Sequence, residues 1–81
     1  MADDAAPTPA DATRWIAGFA ARLEVDPPDE ETVATLLELA GVAAHGSHRS
    51  AAPIACWLVG RARVAPAEAL ALAQDLGPVG R

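Results

Sequence analysis

The sequence predicts an all-α fold, a compact antiparallel bundle of about four short helices, on three observations. Apolar residues recur three and four positions apart in four separate segments, the signature of helices with one buried face. Pro and Gly clusters interrupt these segments at regular intervals, and about a quarter of the chain is Ala, the strongest helix former. Nothing alternates polar and apolar with the period of a strand.

Residues 1–8 hold Asp3, Asp4 and Pro7 without apolar periodicity and are expected to form a disordered tail. The first helix begins at Pro9, because Thr8 and Asp11 are spaced as a capping box and Pro suits the first helical position. Its stripe is Ala12, Trp15, Ile16, Phe19, Ala20 and Leu23. The run Asp26-Pro27-Pro28-Asp29 ends the pattern, since a residue before proline is pushed out of the α region. Asp26 or Asp29 starts the second helix, and Glu30 and Glu31 complement the positive end of its dipole. Val33, Leu36, Leu37, Ala40 and Ala44 line its inner face, widened by Leu39 and Ala43. Gly46 is expected to stop it in a left-handed conformation.

Ser50 reads as the cap of a third helix from about Ala51 to Ala62, with Pro53 in its first turn. Ile54, Trp57 and Leu58 lie on one side, and Ala55, Cys56, Val59 and Gly60 on the others. A helix apolar nearly all round is expected at the centre of a bundle. The last helix runs from about Pro66 to Leu76 with Ala69, Leu70, Ala73 and Leu76 inward, stopped by Gly77 and Pro78. One helical domain over residues 9–77 follows, with a second disordered tail at 78–81.

Composition narrows the function classes. A net charge of −5 opposes a phosphate backbone, so no nucleic-acid partner is expected. No apolar run approaches the ~20 residues that span a bilayer, which points away from the membrane. Acids near the N-terminus differ from the cations of a secretory signal, and Cys56 has no second cysteine to pair with; both suit a cytoplasmic protein.

Chemistry concentrates at one joint. His45, His48 and Cys56 are too few for a structural zinc site and are spaced like no finger, so no metal and no other cofactor is expected. Cys56 in an apolar helix is a poor nucleophile, and the acidic pairs at 26/29 and 30/31 are explained as caps and dipole partners, so the reading leans away from an enzyme. The segment from His45 to Pro53 remains. Helix starts present backbone N–H groups without partners, so His45, Arg49, Ser50 and Pro53 form a candidate anion- or partner-binding site. The competing account has His45 simply ending its helix while Arg49 reaches back to acids on the second helix. The aromatics Trp15, Phe19 and Trp57 are expected in the core, although a tryptophan left partly exposed in so small a bundle would mark a protein contact.

Trp15 to Leu23, the turn from Asp26 to Glu30, Leu36, Leu37, Leu39 and Ala40, then Ala44, His45, Arg49, Ala51-Ala52-Pro53, Leu58 and Gly60 give the chain a resemblance over roughly residues 14 to 75. It resembles a small actinobacterial helical domain family of unknown function, found alone or fused behind molybdenum cofactor guanylyltransferase. The resemblance implies no catalytic residues. It implies an accessory role in molybdenum cofactor biosynthesis through contact with that enzyme or with a second copy, and marks His45, Arg49 and Pro53 as the positions to test. A non-catalytic interaction domain is the reading this favours, and a small-anion or nucleotide-phosphate module at the His45/Arg49 joint is its alternative.

Overall fold

Each of the four expected segments is helical in the computed structural model, which describes residues 6–79: α1 (Pro9–Leu23), α2 (Glu30–Gly46), α3 (Ala51–Ala62) and α4 (Pro66–Leu76). The fold is all-α, without strand among the described residues. The part of the N-terminal tail expected at residues 1–5 lies outside them, as do residues 80 and 81.

Capping explains where the first two helices begin. The Thr8 N–H donates to Asp11 Oδ2 at 2.8 Å and the Asp11 N–H to Thr8 Oγ1 at 3.3 Å, so two donors without helical partners are satisfied reciprocally. Of the two acids offered for α2, Asp29 is the cap: its Oδ1 accepts the Thr32 N–H at 2.8 Å. Hydrogen bonding from the Thr32 side chain, and after it from the Thr32 N–H, favours the charged form and holds the Asp29 carboxyl below its ordinary value of 3.8. α1 and α3 close on the left-handed residues Glu24 and Arg63, both at φ 61°. The expected glycine stop of α2 is not found, since Gly46 is the last helical residue and Ser47 follows as the cap.

α2 is the packed centre, in contact with both α3 and α4. Leu39, which the stripe placed at the edge of the inner face, is its deepest residue at 2 % exposure. Leu37, assigned to the inner face, is 68 % exposed. The C-terminal ends of α2 and α4 meet, as up-and-down alternation requires of every second helix. There the Val79 N–H donates to the Gly46 carbonyl at 2.8 Å, so residues 78 and 79, expected to open the C-terminal tail, instead seat against α2.

The third helix is not central. Ala51, Ala52, Ala55, Cys56 and Val59 are its half-buried residues, while Ile54, Trp57 and Leu58 are exposed. The physical reason is backbone distance: small side chains on one face let α3 approach α2 closely, and the large ones at 100° per residue are left on the far side. α1 divides its stripe in the same way. Ile16 is half-buried and Ala20 buried, whereas Trp15, Phe19 and Leu23 are exposed, and α1 makes no extensive interface with another helix. An apolar groove of about 460 Å³ runs between α1 and α2, walled by Ala12, Ile16, Val33 and Leu37 and floored by Pro27 and Pro28. Among the described residues only Ala20, Leu39 and Ala69 are buried, so much of the apolar surface that four stripes were expected to remove from water remains on the outside.

Candidate functional site

The joint between α2 and α3 is built by local hydrogen bonds. Beyond Gly46, the Ser47 hydroxyl donates to the Ala43 carbonyl at 2.8 Å, closing the last turn of α2. The chain then turns through residues 48–50. The His48 carbonyl accepts the Ala51 N–H at 2.9 Å, and the Arg49 carbonyl accepts the Ala52 N–H at 3.1 Å. The Ser50 N–H donates to His48 Nδ1 at 3.2 Å, and the Ser50 hydroxyl lies 3.0 Å from the same nitrogen.

These bonds decide what the joint offers an anion. Anion capture at a helix start needs backbone N–H groups without partners. Here those of Ser50, Ala51 and Ala52 are all engaged, and Pro53 has none. Ser50 itself stands in the right-handed helical region at φ −67°, ψ −14°, and makes no side-chain cap; its hydroxyl serves His48 instead. The expected Ser50 cap is therefore corrected: a residue already helical in φ and ψ does not direct its side chain at the N–H groups ahead of it.

His45 lines a shallow groove of about 350 Å³ whose other walls are Val42 and Gly46 of α2, Ala73 and Gln74 of α4, and Gly77 and Pro78. Arg49, Ser50 and Pro53 lie beyond that groove, toward the start of α3. Among the described residues Arg49 has no carboxylate within ion-pair distance, and the ion pair present there joins Arg14 to Asp11 within α1. No three His, Cys, Asp or Glu side chains gather as a metal site among the described residues.

The surface that stands out is the outer face of α3. Ile54, Trp57 and Leu58 follow one another at helical spacing, and Trp57 is 62 % exposed. Pro53 and Ser50 continue that face toward the joint, and Arg61 closes its other end at the same helical spacing. A signal for it lay in the sequence: the opposite face carries only Ala, Cys and Val, which marks it as the close-packing side. A second patch, Trp15 and Phe19 on α1, has ring centroids 5.0 Å apart at 31°. An indole removed from water contributes on the order of 150–250 Å² of burial, so each patch is a large reserve of association energy.

The fold and surface define a small all-α domain that turns its aromatic residues outward. Residues 7–78 match the family model described as Domain of unknown function (DUF6457), and the chain belongs to that family. No curated protein and no solved structure matches it. No helix among the described residues is long and apolar enough to cross a membrane.

Proposed function

We propose that this protein is a non-catalytic helical accessory domain that acts in the cytoplasm by docking on another protein through the outer face of α3. The observation that carries the reading is the exposure of Trp57 between Ile54 and Leu58 on a helix whose other face is packed. Aromatic and aliphatic anchors of this kind dominate the energetics of protein contacts, and soluble monomers seldom leave them contiguous and wet. Ser50 and Arg61 stand at the two ends of the face, where a polar rim is expected. The sequence resemblance, and not the fold, supplies the partner: molybdenum cofactor guanylyltransferase, which places the domain in molybdenum cofactor biosynthesis. The engaged N–H groups of Ser50 to Ala52 speak against the phosphate-binding alternative.

The test is capture of purified guanylyltransferase by the immobilised chain, compared with Trp57→Arg. Retention by the native chain and at least tenfold weaker retention by the variant, with unchanged helicity, supports the reading. Equal retention by both moves the contact off α3, and no retention by either removes the enzyme as partner.

A further inference from the structure

We propose that α1 pairs antiparallel with α1 of a second copy about a two-fold axis near its midpoint, setting Trp15 of each copy over Gly18 of the other. The inference shares with the docking reading the premise that exposed apolar faces are contact surfaces, but it concerns α1 rather than α3.

Three observations choose the occupant. The first is area. The chain exposes 6524 Å², where a folded monomer of 8.3 kDa exposes about 4,600 Å². With the seven residues outside the described span set aside from both figures, at about 150 Å² and about 0.1 kDa each, an excess of about 1,200 Å² remains. A standard interface removes about 800 Å² from each partner, so the excess has room for one contact of that size on α1.

The second is charge order. At 100° per residue, Asp11, Trp15, Gly18, Phe19 and Arg22 fall within about 100° of arc on α1. Asp11 stands at the N-terminal end of this strip, Arg22 at the C-terminal end, and the aromatics between. A two-fold contact needs a self-complementary patch, in which residue i meets j and j meets i. Asp11 with Arg22, and Trp15 with Gly18, are equally spaced about the same midpoint, so an antiparallel copy brings both pairs together twice, Arg22 joining the Thr8 and Arg14 that the Asp11 carboxylate already binds. The helix dipoles also oppose favourably in that arrangement.

The third is Gly18. A glycine inside a helix weakens it relative to Ala, and within its own chain nothing lies within 4 Å of where a Cβ would stand. Gly41 and Gly60 are as open, so what sets Gly18 apart is its place beside the exposed Trp15 and Phe19. Trp15, Gly18, Phe19 and Arg22 line a hollow of about 340 Å³ over its backbone, open to receive a ring from outside.

The experiment is sedimentation of the full chain over a wide concentration range, with Gly18→Gln and Trp57→Arg alongside. Gln favours the helix and meets nothing in its own chain, so Gly18→Gln keeps or raises α1 helicity by circular dichroism. The native chain and Trp57→Arg are expected to form dimers with similar dissociation constants, and Gly18→Gln to dimerise at least tenfold more weakly. A native chain that stays monomeric at the highest concentration overturns the proposal while leaving capture through Trp57 intact. So does a dimer indifferent to Gly18→Gln, and a dimer lost with Trp57→Arg alone moves self-association to α3.

Discussion

The Val79 N–H donates to the carbonyl of Gly46 at 2.8 Å, and a Cβ built on Gly46 would stand 3.4 Å from Pro78 Cα. The last turn of α2 thus has an acceptor engaged by a segment more than thirty residues further on, which locks the C-terminal ends of α2 and α4 together. The contact fixes how much side chain position 46 tolerates. Gly46→Ala adds one methyl at ordinary contact distance to a helical residue, so its melting temperature is expected to stay or rise slightly. Gly46→Leu must push Pro78 away and break the bond behind it. A loss of about 1–3 kcal/mol is expected from such overpacking. Amide exchange at Val79 checks the cause: it accelerates in the Leu variant and not in the Ala variant.

Asp29 gives α2 a pH-dependent start. Hydrogen bonding from the Thr32 side chain, and after it from the Thr32 N–H, lowers its folded pKa below the ordinary value of 3.8, so around that value the unfolded chain binds more protons than the folded one. The contribution of the cap is complete above the ordinary value and is lost as pH falls through the folded one. Asp29→Asn keeps an acceptor oxygen at the cap but does not titrate. Between about pH 6 and pH 3 the native protein should therefore lose more melting temperature than Asp29→Asn does. Equal losses in the two proteins would show that the cap charge is not coupled to folding.

Local chemistry was legible in this chain where a residue's partner lies within one helical turn. Thr8 with Asp11 and Asp29 with Thr32 cap their helices as their spacing requires, and Pro9 and Pro66 open α1 and α4. The inward face of α3 was signalled only by its small residues. Ile54, Trp57 and Leu58 make the stronger hydrophobic stripe, yet it is the weaker Ala-Cys-Val stripe that packs, because helix approach rewards small residues and a stripe says nothing of which neighbour covers it. What the joint offers an anion was not legible either: the N–H groups of Ser50, Ala51 and Ala52 are taken up by bonds within the turn that residue spacing does not announce.

Those bonds bear on phosphate. With the Ser50, Ala51 and Ala52 N–H groups engaged and Pro53 lacking one, the start of α3 has no free donor cluster to add to the Arg49 guanidinium. Titration with inorganic phosphate is expected to leave the His45 and His48 ring signals in place, apart from the uniform drift that ionic strength produces. A saturable shift of His48 that disappears in Arg49→Ala would reinstate the joint as an anion site.

Two cap positions that look alike in their helices differ in what a side chain there can do. Ala65 precedes α4 with extended backbone, φ −66° and ψ 143°, the geometry from which a cap side chain reaches back to the N–H groups ahead, but it has no oxygen to offer. Ala65→Ser supplies one on an exposed residue, at no packing cost. A gain of about 1 kcal/mol is expected, which in a domain of this size raises the melting temperature by roughly 4–8 °C. Ser50 already has its oxygen but stands in helical backbone, and its hydroxyl is bound to His48. Ser50→Ala removes one exposed side-chain hydrogen bond and no cap, so a change within about 0.5 kcal/mol is expected. Thermal unfolding of the two variants side by side measures the difference: if Ser50→Ala costs as much as Ala65→Ser gains, Ser50 caps α3 in solution after all.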